Sequence, residues 1–418
     1  MNEVVITGLG FVTSIGHDRR SVVESLREGR CGIKPWNPIA GESLPVRVAG
    51  TVRGFDVEGT DPAAWTWPAQ WDLDRRLVRS LPPHGVYAVC ALEQALAEAG
   101  LERRDLDGGN TGLACASGGS PRLMRHHLDR MAAAGWRRGH PLGVVATVAG
   151  TLNFNLGAHY GIRGTSCGFV SACTSSSHAL GAAFDEIQLG RQDRMLVVGA
   201  EDLALETLLP FHAMGALSLE ADPACASRPF DQAPDGFVGA GGAVALVLED
   251  AEVARRRGAQ VQARMLGWGQ AADGFDVAAP HPTGDGLARA ITRTLGGAGI
   301  SAGVVTYVNA HATSTIAGDR AEALALRQAF AGTTPAVSST KALTGHGLSM
   351  AGAMEAAFCV LALTEGFIPG QFHLTRPIPE AEGLDLPRAS RCCRPGIALN
   401  CNSGFGGTNV CHVFTIPN

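Results

Sequence analysis

The sequence predicts an α/β protein with largely parallel sheets. Three observations carry this. Short β-branched runs bounded by glycine recur along the chain, helical stretches fall between them, and only 17% of the 418 residues are charged. An ordinary soluble domain carries about 25%. Strands alternating with helices argue for sheets covered by helices. The low charge points to much buried secondary structure.

Strand-like runs stand at Val4–Thr7, Gly112–Cys115, Met195–Gly199, Ala243–Leu248, Val304–Val308 and Ile397–Leu399. Helical stretches stand at Val86–Gly100, Ser177–Gly190 and Met350–Thr364. Gly8-Leu9-Gly10 follows the first strand, but the third glycine of a dinucleotide fingerprint would fall on Thr13. It reads as a tight strand-to-loop turn. Residues 35–80, with Trp36, Trp65, Trp67 and Trp71 among prolines, read as an irregular surface excursion, as does Gly370–Pro395. The run Gly242–Leu248 ends in Glu249-Asp250, a basic helix end follows, and Val261–Gly267 starts a new strand. This places a boundary near residue 250, giving an N-terminal half 1–250 and a C-terminal half 251–418.

Net charge is 34 − 39 = −5, without the basic balance of a nucleic-acid binder. No uninterrupted apolar run reaches the ~18–20 residues of a membrane span. The N-terminus enters a strand at once, so no signal peptide is expected. The 11 scattered cysteines then read as reduced thiols of a cytoplasmic protein. No Cys-x-x-Cys pair has matching histidines, so no metal is expected. No P-loop lysine motif appears, which disfavours a nucleotide.

Four segments carry chemistry. Val170–Leu180 places Cys173 between an apolar run and a helix. A thiol there meets backbone N–H groups and a helix dipole that favour thiolate. A buried structural cysteine is the plain alternative. Val308–Thr315 puts His311 just after a strand end, where active-site groups sit in open α/β sheets. Ser338–Gly347 carries Lys341 and His346 ahead of an Ala-rich helix. Each alone reads as a loop histidine or a surface charge; together they are harder to dismiss. Gly404–Asn409 is a glycine-rich turn that suits a backbone N–H aimed at an oxyanion.

Together these segments resemble the elongating, decarboxylating β-ketoacyl-acyl carrier protein synthases, type I/II, of the thiolase superfamily. The resemblance runs from Val4–Gly10 to Gly404–Asn409. It implies a thiolase fold, two similar βαβαβ-type halves in a five-layered αβαβα arrangement, assembled as a dimer. The partner would be a second copy or a chain-length-factor-like subunit. It implies a catalytic set of Cys173, His311, His346 and Lys341, with Glu355, Asp319 and Glu322 in support. Cys173 and Phe405 would supply oxyanion-hole N–H groups, Phe405 would also be the gate, and Thr313 and Thr315 would bind pantetheine. No separate cofactor is implied, since substrates ride on the phosphopantetheine of acyl carrier protein. The resemblance implies that both imidazoles are neutral when they donate hydrogen bonds to the malonyl thioester oxygen, and a nearby Lys341 cation disfavours a second positive charge. Acyl carrier proteins are acidic, so a local basic patch is required. Arg137 and Arg138 match the family's docking residues, and Arg122, Arg125 and Arg130 are further candidates.

The chain departs from the family pattern in places. His-Gly-Thr becomes His311-Ala312-Thr313, and one gate aromatic becomes Ser403. A family Arg and Glu become Pro234 and Gly241, as if one ion pair were lost. The Gly112–Pro121 loop, the acyl-tunnel wall in this family, is built of small residues, which suits a long or rigid chain such as a polyene. These changes suggest a specialised member. A chain-length-factor-like subunit would typically lack the nucleophile. A coenzyme A thiolase would need a second catalytic cysteine in a C-terminal Cys-Gly-Gly-Gly-like motif, and Cys401 and Cys411 lie in none.

Overall fold

Among the described residues, twelve strands form in chain order: β1 (Val4–Val12), β2 (Ile33–Pro35), β3 (Val48–Gly50), β4 (Thr111–Ala116), β5 (Ser166–Phe169), β6 (Arg194–Glu201), β7 (Gly242–Asp250), β8 (Ala263–Ala272), β9 (Tyr307–Asn309), β10 (Ala336–Ser338), β11 (Ile397–Gly404) and β12 (Thr408–Thr415). The computed structural model describes residues 1–39 and 42–417. Residues 40 and 41 of the expected excursion, and 418 of the C-terminal half, lie outside the described residues. Apart from the β2–β3 ribbon, the strands join in the order β10-β9-β11-β12-β8-β1-β7-β6-β4-β5. The order β5-β4-β6-β7-β1 is repeated by β10-β9-β11-β12-β8. The two sets meet where Val4–Ile6 pair with Ala263–Met265, antiparallel.

The sheet is mixed, not largely parallel. β4 runs parallel to β5 and β6, and β9 to β10 and β11. The pairs β6–β7, β7–β1, β1–β8, β8–β12 and β12–β11 are antiparallel. The period of a buried run does not report strand direction, because parallel and antiparallel core strands can both be apolar throughout. The expected strand Val304–Val308 starts late, since Val304 closes a short 3-10 turn and β9 begins at Tyr307.

Helices complete the layers. Helix Pro83–Ala99 starts on a proline and stops at Gly100 in the left-handed region, the usual asymmetry of helix ends. It covers the outer face of β1, β7 and β6. Gly8 and Gly10 lie inside β1 under this helix, not in a turn. A Cβ at either would stand within about 2 Å of the Ala95 or Ala91 carbonyl oxygen, so only glycine permits this approach. Helices Ser175–Gln188 and Ala351–Glu365 fill the central layer, the first against β6 and β4, the second against β11. Helix Asp285–Gly297 covers β8 and β12 on the far side. These five layers make a thiolase-type α/β fold. One helix, Leu348–Glu365, is long and apolar enough to cross a membrane, yet 89% of it is buried inside the protein. The excursion 35–80 is irregular as expected but not merely superficial. Trp36 and Trp65 are buried, and Trp65 joins the core under helix Pro83–Ala99.

Candidate active site

Cys173 follows β5 and precedes helix Ser175–Gln188. The turn is pinned by Ser175, whose hydroxyl accepts from Ser171 N–H at 2.8 Å and donates to the Ala172 carbonyl at 2.6 Å. Ala172 is forced to φ 47°, a strain of about 1–3 kcal/mol held by the surrounding bonds. The expected thiolate is not what this environment favours. Burial pushes the Cys173 thiol up to about 12, outweighing the downward pull of Lys341. Helix Ser175–Gln188 begins two residues beyond Cys173, and removing charge from water costs more than its dipole returns.

His346 Nε2 stands 3.0 Å from Cys173 Sγ. The His311 ring lies edge-on to it, centroids 5.2 Å apart, and the reactive atoms of all three residues fall within 4.8 Å of one another. Burial first, then the Lys341 charge, holds both imidazoles well below the usual histidine value, so both are neutral. Three such ligands have the chemistry to hold a soft metal ion, but a buried lysine cation beside them opposes it.

Lys341 is fully buried and ion-paired to the equally buried Glu355. Asn402 Nδ2 donates to Glu355 Oε2 at 2.6 Å and lies 3.5 Å from His311 Nδ1. Ser177 donates to Asn402 Oδ1 at 2.8 Å. Lysine, glutamate, asparagine and histidine thus form one continuous chain. Two acids clamp the His311 loop. Glu322 accepts from the N–H groups of His311 (2.7 Å) and Ala312 (2.5 Å). Asp319 accepts from Ser314 (3.1 Å) and Phe230 (2.7 Å). Burial pushes Asp319 up to about 7 and Glu322 to about 8.

Cys173, both histidines, Thr313, Thr315 and Phe405 line one cavity of about 560 Å³. Among the described residues, no other cysteine lines it. Cys401 and Cys411 face each other in the core, sulfurs 3.4 Å apart. The β11–β12 turn reaches Cys173. A Cβ on Gly404 would lie 3.2 Å from Cys173 N, and Thr174 and Thr408 hydroxyls bond at 2.8 Å. From Phe405 an aromatic row runs through Phe211 (5.6 Å) and Phe237 (5.2 Å) to His346 (5.4 Å).

The β-ketoacyl synthase N-terminal domain matches residues 1–254, and the β-ketoacyl synthase C-terminal domain matches residues 262–375. The chain belongs to the β-ketoacyl synthase family. It is 36% identical to 3-oxoacyl-[acyl-carrier-protein] synthase 1 of Escherichia coli (strain K12) over 415 residues, 98% of each chain. A crystal structure of a β-ketoacyl synthase from Burkholderia phymatum STM815 superimposes with a TM-score of 0.91 at 32% identity, covering all of both chains. The ishigamide ketosynthase/chain length factor follows at 0.88 and 28%, again over both whole chains. The protein is therefore an acyltransferase of the ketosynthase type.

Several residues of this ketosynthase escaped the sequence reading. Asn402 stands two residues before the C-terminal glycine-rich turn, inside β11, and its reach to Glu355 and His311 needs the folded strand. Phe211 and Phe237 carried no motif signal as a pair, lying 26 residues apart in the chain (237 − 211). Among the docking candidates, Arg137, Arg138 and Arg130 are exposed. Arg122 is not available, since it is ion-paired to buried Asp202 at 2.8 Å. Arg125 pairs with Glu206 at 3.0 Å. Pro234 stands on the cavity wall, whereas Gly241 packs against Leu203.

Proposed function

We propose that this synthase performs a decarboxylative Claisen condensation in fatty-acid or polyketide elongation. In the first half-reaction Cys173 sulfur attacks the acyl thioester carried on phosphopantetheine of acyl carrier protein. The sulfur–carbonyl bond forms, the carrier thiol leaves, and the thiol proton passes by way of His346 Nε2. The backbone N–H groups of Cys173 and Phe405 receive the oxyanion, each such donor being worth about 3 kcal/mol of barrier. In the second, malonyl-carrier protein loses CO₂. His311 and His346, neutral, donate to the thioester oxygen as enolate charge develops. The enolate carbon attacks the acyl-enzyme, a carbon–carbon bond forms and Cys173 is released. Covalent catalysis divides one hard step into two.

Lys341 keeps the imidazoles neutral and Glu355 keeps Lys341 in place. Asp319 and Glu322 hold the His311 loop. Thr313 and Thr315, whose hydroxyls lie 3.1 Å apart on the cavity wall, take the pantetheine arm, and Phe405 gates the entrance. Arg137 and Arg138 receive the acidic carrier protein. The halves are 1–250 and 251–418, which the repeated strand order supports. Edge strand β5, with Val170 exposed beside it, seats a second subunit, either another copy or a chain-length-factor-like chain. All eleven cysteines are free, which suits the cytoplasm.

The observation that carries this reading is a thiol and two neutral imidazoles within 4.8 Å on the wall of one large cavity. Intact-protein mass spectrometry with a panel of acyl carrier proteins tests it. Wild-type protein should gain one acyl mass and Cys173→Ala none. Acylation of the alanine variant would overturn the nucleophile.

A further inference from the structure

Of six tryptophans, only Trp136 is presented to solvent, with 68% of its surface exposed. It opens the 3-10 turn Trp136–Arg138, directly after helix Pro121–Ala134. Gly135 at φ 106° turns the chain out between the two. The helix presents Met124 and Leu128 outward, and Val144 is 70% exposed beyond the turn.

The charge around this indole is one-sided. Residues 121–144 hold five arginines and one acid, Asp129, a formal 5 − 1 = +4 in a chain of net −5. With Arg122 held by Asp202 and Arg125 by Glu206, the exposed Arg130, Arg137 and Arg138 remain. A large exposed apolar group is informative where a lone leucine is not. Tryptophan and arginine are also the residue types that carry most of the energy of protein interfaces.

We propose that Trp136 is the aromatic anchor of carrier-protein docking. Its indole enters an apolar seam on an acidic partner whose carboxylates pair with Arg137 and Arg138. This rests on the carrier-protein reading given above and adds to it a residue that selects among acidic partners. Charge alone draws any acidic protein, whereas a buried indole demands a matching apolar seam. A second copy of the chain fits this patch poorly, since a two-fold contact would set cationic surface against itself.

Steady-state condensation by Trp136→Ala and Trp136→Phe dimers tests the anchor. Each is measured with carrier-bound substrates and with the same acyl and malonyl groups on N-acetylcysteamine. Trp136→Ala should raise KM for carrier-bound substrates about tenfold at unchanged kcat, with small thioesters unaffected and Trp136→Phe near wild type. Three results overturn it: unchanged KM, an equal loss on both substrate forms, or dissociation to monomer in sedimentation, which would make the patch an interface between copies. If wild-type protein condenses small thioesters but no carrier substrate, the docking reading fails as well. If wild type turns over carrier substrate and Trp136→Ala keeps the wild-type KM for it, the anchor alone fails.

Discussion

The Lys341–Glu355 pair offers the sharpest quantitative test. Both side chains are wholly buried, so neither charge can retreat to water. Glu355→Gln keeps the shape and an oxygen that accepts from Asn402, but removes the charge that balances Lys341. Breaking a buried pair from one side costs about 3–5 kcal/mol, because an uncompensated charge remains. Unfolding entropy near 2.1 cal/mol/K per residue gives about 0.9 kcal/mol/K for a chain of this length. The expected fall in Tm is then about 3–6 °C, read by differential scanning calorimetry. Replacing both partners, Lys341→Met with Glu355→Leu, removes both desolvation penalties and should recover Tm to within about 2 °C of wild type. Condensation should remain below wild type in the double variant, because the Lys341 charge beside the imidazoles is gone. If Glu355→Gln melts with wild type, or the double variant melts as low as the single, the pair is not balanced as described.

Two further predictions concern pH. Burial first and the Lys341 charge second hold His311 and His346 below the usual histidine value, so removing that charge raises both. Activity that needs neutral imidazoles is lost as pH falls through these values. The acid limb of kcat/KM on small thioesters should therefore move to higher pH in Lys341→Met, and a stationary limb would refute the coupling. Glu201 is buried, its carboxylate bonded to Ser349 N–H at 3.1 Å, and burial pushes it from 4.5 up to about 7. A value raised by folding gives stability that is full below the unfolded value and is lost as pH rises through the folded one. Tm should fall between about pH 4.5 and pH 7, and Glu201→Gln should flatten that fall; an unchanged slope would place its origin elsewhere.

The residues that gather at the candidate site were legible because each lies in a short polar loop at a strand end. Cys173, His311, Lys341 and His346 each announce themselves within a dozen residues, and the structure brings all four to one place. What depends on depth was not legible. The expected thiolate failed because the helix that would favour it is a local feature, while burial comes from packing against a cluster of distant residues that includes Phe237 and Leu348. Gly8 and Gly10 looked like a turn, since a sequence does not display the helix that lies across them. The direction of β7 and β12 was hidden for the same reason: buried runs look alike whichever way they point. Arg122 shows the limit for surface charge, because its partner Asp202 stands 80 residues away.

The repeated strand order explains why the site exists only in the complete chain. In the N-terminal set, the segment after β5 carries Cys173 and leads into helix Ser175–Gln188. In the C-terminal set, the matching segment after β10 carries Lys341 and His346 and leads into helix Ala351–Glu365. β9, the counterpart of β4, ends ahead of His311. Equivalent positions thus hold a thiol on one side and a lysine and an imidazole on the other. The two helices bring them together in the central layer, where a Cβ on Gly352 would strike Ser177 Oγ at 2.0 Å. That crossing sets how closely the two sides approach. Ser177 also donates to Asn402, so the same contact that packs the helices orients the side chain between Glu355 and His311. Fold and site therefore share one joint, and a larger residue at Gly352 must disturb both.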